Sequence, residues 1–109
     1  MEVRTPKEFF ETILPAKFAP DKTEGIEATI QMNITGPNGG NWTIKIENQK
    51  MTVKEGVHPS PTMGIKIVDG DFIDVVNGKL SGIEALMGGK LEFNGSIGAG
   101  LKLLNTGLI

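Results

Sequence analysis

Residues 28–53 read ATIQMNITGPNGGNWTIKIENQKMTV. Ala28, Ile30, Met32 and Ile34 alternate with Thr29, Gln31, Asn33 and Thr35. A period of two puts the first set on one face of a strand and the second on the other. The turn cluster Gly36-Pro37-Asn38-Gly39-Gly40-Asn41 follows, and Trp42, Ile44 and Ile46 then alternate with Thr43, Lys45 and Glu47. Two alternating runs joined by such a cluster form a hairpin. Asn48-Gln49-Lys50 turns the chain into a third run, with Met51 and Val53 on one face. The stretch therefore predicts a three-stranded meander with one dry and one wet face.

Upstream, Thr5-Pro6-Lys7-Glu8 predicts a helix start. Thr5 is the N-cap, Pro6 sits at N1, and Glu8 at N3 completes a capping box. Phe9, Phe10, Ile13 and Leu14 make its apolar stripe, and the helix is expected to end near Pro15 or shortly beyond. Downstream, the proline-rich EGVHPSPT breaks the pattern, and Met63–Val68 reads as a fourth strand. Asp69-Gly70-Asp71 is expected to cap a short helix over Phe72–Asn77. Gly78 then ends it in the left-handed C′ position. Ser81 with Glu84 opens a further helix that stops at Gly88-Gly89. Lys90 to Ser96 alternates as a fifth strand, and Ile97, Leu101, Leu104 and Leu108 trace a weak amphipathic helix in the tail.

A chain of 109 residues supports one domain with one modest core, so residues 1–109 are read as a single domain. A formal net charge of -2 gives no electrostatic case for nucleic acid. Cysteine is absent, which excludes disulfides and a thiol nucleophile. MEVRTPKEFF lacks the apolar region of a signal peptide, and no apolar run is long enough to span a membrane. A soluble, cytoplasmic protein is expected. Of 15 glycines, ten lie after residue 60, which makes the second half rich in caps and turns.

The chemical motifs are thin. Gly78-Lys79 and Gly89-Lys90 suggest phosphate loops, but the residues five before each glycine are Ile73 and Glu84, and leucine follows each lysine. A phosphate loop needs glycine at the first of these positions and serine or threonine at the second, so helix capping explains both pairs. GSIGAG at 95–100 has the wrong spacing for a dinucleotide fingerprint and no room for a following βαβ unit. The single histidine, His58, sits in a polar loop with no flanking ligand at metal spacing. Asp69, Asp71 and Asp74 cluster where helix capping already uses carboxylates, and no serine has a nucleophile-elbow context. No catalytic residue, metal site or cofactor is assigned.

What the chain does have is aliphatic surface. Ile73 joins Phe72, Val75 and Val76, and Ile83, Ala85, Leu86 and Met87 leave Glu84 as the one clearly polar residue of their helix. Helices apolar on more than one face lie between two apolar layers or wall a cavity; a plain core with extra leucines gives the same pattern.

Gly36-Pro37, Trp42, Asp71-Phe72, Gly78-Lys79, Gly89-Lys90, Gly95, Gly98 and Lys102-Leu103 stand in the order and spacing of sterol carrier protein-2-like lipid-transfer domains. The chain resembles that family over nearly its whole length, most closely from Asp71 to Leu104. The resemblance implies an α/β (α+β) fold: a five-stranded, mostly antiparallel sheet of order 3-2-1-4-5. Helices cover one face and enclose an apolar tunnel for fatty acid, fatty acyl-CoA or sterol-like lipid. The chain ends Gly107-Leu108-Ile109, where eukaryotic relatives often carry a peroxisomal tripeptide, so peroxisomal targeting is not expected.

The expected function is non-catalytic lipid binding and transfer. Candidate wall residues are Ile30, Met32 and Trp42 on the sheet, Phe72, Val76, Leu86 and Met87 on the helices, and Leu101, Leu104 and Leu108 on a tail acting as lid. Expected partners are a lipid or acyl-CoA, transient contact with a membrane, and a partner enzyme. Two alternatives stay open: an interaction or scaffold module of a larger lipid- or isoprenoid-handling enzyme system, and a small enzyme using the cavity as its substrate site.

Overall fold

The computed structural model describes residues 2–95. The meander forms as its alternation dictates: β1 (Ala28–Thr35), β2 (Gly40–Glu47) and β3 (Lys50–Glu55) pair antiparallel in sequence order. Asn48 and Gln49 both take positive φ, 53° and 59°, and Glu47 pairs with Lys50 across them. Such a two-residue turn matches the twist of the flanking strands. β4 (Met63–Val68) lies parallel to β1 on its other side, and β5 (Leu91–Gly95) pairs antiparallel with β4. The sheet order is therefore β3-β2-β1-β4-β5, as the resemblance implies.

One face of this sheet is the core. Ala28, Ile30, Met32 and Ile34 of β1, Trp42, Ile44 and Ile46 of β2, and Met63, Ile65 and Ile67 of β4 are all buried. Against them pack Phe9, Phe10 and Leu14 of the N-terminal helix, Phe72 and Val75 of a middle helix (Asp69–Val76), and Ala85 of a short helix (Gly82–Met87).

The N-terminal helix does not stop at Pro15. It runs over residues 6–17, as an α-turn Pro6–Glu8, a π-turn Phe9–Ile13 and a last α-turn Leu14–Lys17. Proline lacks an N–H and its ring crowds the carbonyl four residues back. The wider π-turn, in which the Leu14 N–H reaches back to the Phe9 carbonyl, accommodates it without ending the helix. At the start, the Thr5 hydroxyl accepts from the Glu8 N–H at 3.2 Å, as expected of the N-cap. The Glu8 carboxylate, however, accepts from the N–H of Arg4 at 3.0 Å, one residue before the cap.

The middle helix begins earlier than the cap rule suggests. Val68 is its N-cap and contributes no side-chain bond, while Asp69 is already helical. The Asp69 carboxylate has other work: it accepts from the N–H of Asn38 at 2.9 Å and of Gly70 at 2.8 Å. It thereby ties the first hairpin turn to the helix start. Gly36 is required there, because a Cβ at that position would collide with the Asp69 carboxyl group.

Both Gly-Lys pairs are helix stops of one kind. Gly78 and Gly89 have φ of 78° and 75°. The Lys79 N–H reaches the Asp74 carbonyl and the Lys90 N–H reaches the Ala85 carbonyl, each at 2.8 Å, while Gly78 and Gly89 bond to Val75 and Leu86. This is the Schellman arrangement, in which glycine supplies the left-handed residue and the next N–H closes the loop.

The opposite face of the sheet is not simply wet. The connection from β3 to β4 crosses it and covers Gln31, which is only 4% exposed. The Gln31 amide donates to the carbonyls of Gly56 at 3.2 Å and Trp42 at 3.3 Å, and its oxygen accepts from the His58 N–H at 2.7 Å. The Thr43 hydroxyl donates to the same Gln31 oxygen and to Gly56, each at 3.1 Å. His58, dismissed as a metal ligand from sequence, uses Nδ1 to accept from the Ser60 N–H at 3.0 Å. Among the described residues no three His, Asp or Glu side chains gather as a metal site, and no helix is long and apolar enough to cross a membrane.

Candidate functional site

The core narrows to an aromatic cluster where the N-terminal helix meets the sheet. Phe10 stacks on Trp42 with ring centroids 4.7 Å apart and planes 21° apart, and on Phe72 at 5.3 Å and 18°. Phe9 meets both Phe10 and Phe72 edge-on, at 5.3 and 5.4 Å. These offset and edge-to-face geometries suit the charge distribution of the rings. The helix stripe brings Phe9 and Phe10 to the sheet, and the hairpin register places Trp42 opposite Met32.

Beside this cluster lies an open groove of about 590 Å³ between the N-terminal helix and the β2–β3 side of the sheet. That volume falls within the range of about 300–1,000 Å³ usual for small-molecule sites. Its exposed lining is more polar than apolar: Lys7, Glu11 and Glu55 contribute charge, Pro15, Met51 and Val53 contribute apolar surface, and Phe10 and Trp42 lie almost wholly buried behind it. Lys7 and Glu11 face each other at 3.9 Å, one helical turn apart, on the exposed side of the helix. The strand register explains the lining: Ile44 pairs with Val53 and Ile46 with Met51, so both β3 residues share the core face with Trp42.

The sequence-derived candidates separate into three groups. Ile30, Met32, Trp42 and Phe72 are buried together on the core face, with Trp42 also behind the groove. Val76 is half-buried against that core. Leu86 and Met87 instead face outward, 48% and 83% exposed, with Ile83 at 53%. Their helix is a single short turn pair anchored through Ala85, so its other faces cannot reach the sheet. Leu101, Leu104 and Leu108, and the tail expected to act as lid, lie outside the described residues. Phe10, Met51 and Val53 were not among the candidates. Their alternation and helical stripe were visible, but which strand edge the helix overlies is not a local property.

A profile of the SCP-2 sterol transfer family matches residues 10–106. The chain belongs to this family. At the family level, an SCP-2 domain binds and transfers lipid. Hydroxysteroid dehydrogenase-like protein 2 of Xenopus laevis is 35% identical over 86 residues, covering 78% of this chain and 20% of that protein. Human sterol carrier protein 2 is 31% identical over 75 residues, 67% of this chain and 14% of that protein. The chain thus spans about a fifth of the length of these relatives or less. The crystal structure of sterol carrier protein 2 like 2 from Aedes aegypti superposes with a TM-score of 0.75 at 22% identity, covering 94% of this chain and 95% of that one. At that identity the likeness is one of fold. The SCP-2 fold therefore accounts for the sheet order and for the α/β architecture.

Proposed function

We propose that this SCP-2 domain holds a lipid at the groove between its N-terminal helix and the β2–β3 side of the sheet, beside Phe10 and Trp42, and carries it without altering it. The observation that supports this most is membership of a family whose members bind lipid; the open groove of about 590 Å³ beside the aromatic core is the candidate place for it. Burying a methylene gains roughly 0.8 kcal/mol, so a sixteen-carbon chain gains about 13 kcal/mol on leaving water, much as it does in a bilayer. A carrier needs only a comparable apolar surface and no catalyst. Two of the clustered carboxylates fit structural positions: Asp69 ties the first hairpin to the middle helix, and Asp71 lies in that helix's first turn.

Titration with a fluorescent fatty acid and a fluorescent acyl-CoA tests the reading. Saturable binding near one ligand per chain is expected, and Val53→Asp should weaken it at least tenfold, a larger loss than its cost to stability on the β3 edge strand. An equal loss of both would mark Val53 as plain core. No saturable binding, together with no lipid recovered by mass spectrometry of the purified protein, would sink the carrier reading.

A second reading is favoured by the relatives' length and by the exposed Ile83, Leu86 and Met87. In it, the domain holds lipid for an enzyme in the same assembly rather than ferrying it between membranes. Saturable binding without measurable transfer between vesicles would support this reading over free carriage.

A further inference from the structure

The two edges of the sheet differ in chemistry. β3 ends one side and β5 the other, and among the described residues neither has a strand on its outer flank. An open edge carries unpaired N–H and C=O groups and invites another chain to pair with it. Two copies of one edge join antiparallel about a twofold axis normal to the sheet, which keeps both core faces on the same side. Only residues of the same face then stand opposite each other, so each residue meets itself or one an even number of places away. On β3, a pairing centred on Thr52 sets Lys50 against Lys54 on both sides of the axis, and one centred on Val53 sets the Glu55 carboxylate against Met51. Like charges directly opposite destabilise, and edge lysines are a common block to pairing, so β3 is guarded.

β5 carries no such guard. Leu91 and Phe93 lie half-buried on the core face, and Glu92, the strand's one charged residue, is already 3.8 Å from Lys66 of β4. Centred on Phe93, a twofold pairing engages the whole strand. Phe93 meets its own copy, Leu91 meets Gly95, and Glu92 meets Asn94, whose amide can donate to the carboxylate. Centred one residue earlier, Glu92 would face Glu92, so charge selects the Phe93 register. The surface beside this edge is apolar as well. The short helix Gly82–Met87 lies against β5 and turns Ala85 inward, where it is fully buried. At 100° per residue, Ile83, Leu86 and Met87 gather on the face away from Ala85, and all three are exposed. We infer that the β5 edge is an interface between two copies of this chain. Leu91–Gly95 of each pairs antiparallel about Phe93 and joins two five-stranded sheets into one, with the short helices flanking the seam.

Sedimentation equilibrium of the full chain, from micromolar to millimolar concentration, should show a reversible monomer–dimer equilibrium. Position 94 then tests the register. Asn94 is exposed and its partner on β4 is Gly64, which has no side chain, so a change there should leave the monomer's fold intact. Asn94→Glu sets a carboxylate against the partner's Glu92 on both sides of the axis, and the dimer dissociation constant should rise about two- to thirtyfold. Asn94→Lys sets an ammonium there instead and should lower it by a similar factor. Circular dichroism should be the same for both variants and the wild type. Amide exchange at residues 92–94 should slow as concentration rises. A chain that stays monomeric at millimolar concentration would overturn the inference. So would a dimer whose dissociation constant ignores these two changes or moves the same way in both, since it must then use another surface. If one variant fails to fold, the other and the exchange of residues 92–94 decide.

Discussion

Removing the side chain of Asn77 should loosen the start of the chain from the rest of the fold. Asn77 is the C-cap of the middle helix, with φ -90° and ψ 2°, a backbone conformation that does not itself demand asparagine. Its side chain instead pairs with Val3 as one strand pairs with another. Oδ1 accepts from the Val3 N–H at 2.7 Å, and Nδ2 donates to the Val3 carbonyl at 2.9 Å. Val3 is buried, and the helix carrying Phe9 and Phe10 begins three residues later. Each bond is worth about 0.5–1.5 kcal/mol net, so Asn77→Ala should cost about 1–3 kcal/mol. For a domain near this size that lowers the melting temperature by about 4–24 °C, at about 4–8 °C per kcal/mol. Asn77→Asp keeps the acceptor, loses the donor, and sets a negative oxygen against a carbonyl at the negative end of a helix, so it should recover none of the loss. Urea unfolding followed by Trp42 fluorescence reads the effect, because the sole tryptophan is buried in the native state. The midpoint should fall with an unchanged slope. Deleting residues 1–3 supplies the cycle: in that background Asn77→Ala should cost nearly nothing. An Asn77→Ala variant within about 0.5 kcal/mol of wild type, or one whose cost persists after the deletion, would refute the clamp.

Three glycine substitutions should separate by backbone alone. Gly78→Ala and Gly89→Ala force a Cβ into the left-handed region at φ of 78° and 75°, and each should destabilise by about 1–2 kcal/mol in chemical denaturation. Gly70→Ala, in the first turn of the middle helix with nothing near its would-be Cβ, should instead stabilise by up to about 1 kcal/mol. Gln31→Leu removes the hub of the outer-face network and strands the His58 N–H, so it should cost about 1–3 kcal/mol and speed hydrogen exchange at His58. Unchanged protection at that amide would show that the crossing loop is held by other contacts.

What was legible in the sequence followed from short periods and caps. Ala28 to Val53 showed its strands, turns and dry face, and both Gly-Lys pairs declared themselves as stops, because each depends on residues within one turn of each other. The place of β4 beside β1 came from family resemblance instead, since no pattern inside Met63–Val68 says which neighbour it takes, and that the two run parallel was visible only in the structure. Pro15 misled for a physical reason: the cap rules assume an α-turn, and the π-turn through Phe9–Ile13 removes the conflict that would end the helix. Gln31 reads as solvent-facing by alternation and is buried by a loop some 25 residues further on. Leu86 and Met87 read as wall because a helix apolar all round suggests burial; among the described residues a six-residue helix fastened at Ala85 meets no second surface. The groove itself joins the first helix to the third strand, a distance in sequence that no local signal spans.

The position of β4 has a consequence for how the chain reaches this state. β1, β2 and β3 are neighbours in sequence and close through tight turns, so their ladders can form within microseconds. β4 must find the exposed edge of β1 after the loop from residue 56 to 62 has been drawn across the sheet, and its first paired residues, Met63 and Ile30, lie far apart along the chain. Loop closure of that kind is an entropic cost met before the contact repays it, and it slows folding. The free β1 edge, lined by Ile30, Met32 and Ile34, is then the surface at which newly made copies of this chain are most prone to pair with each other instead of with their own fourth strand.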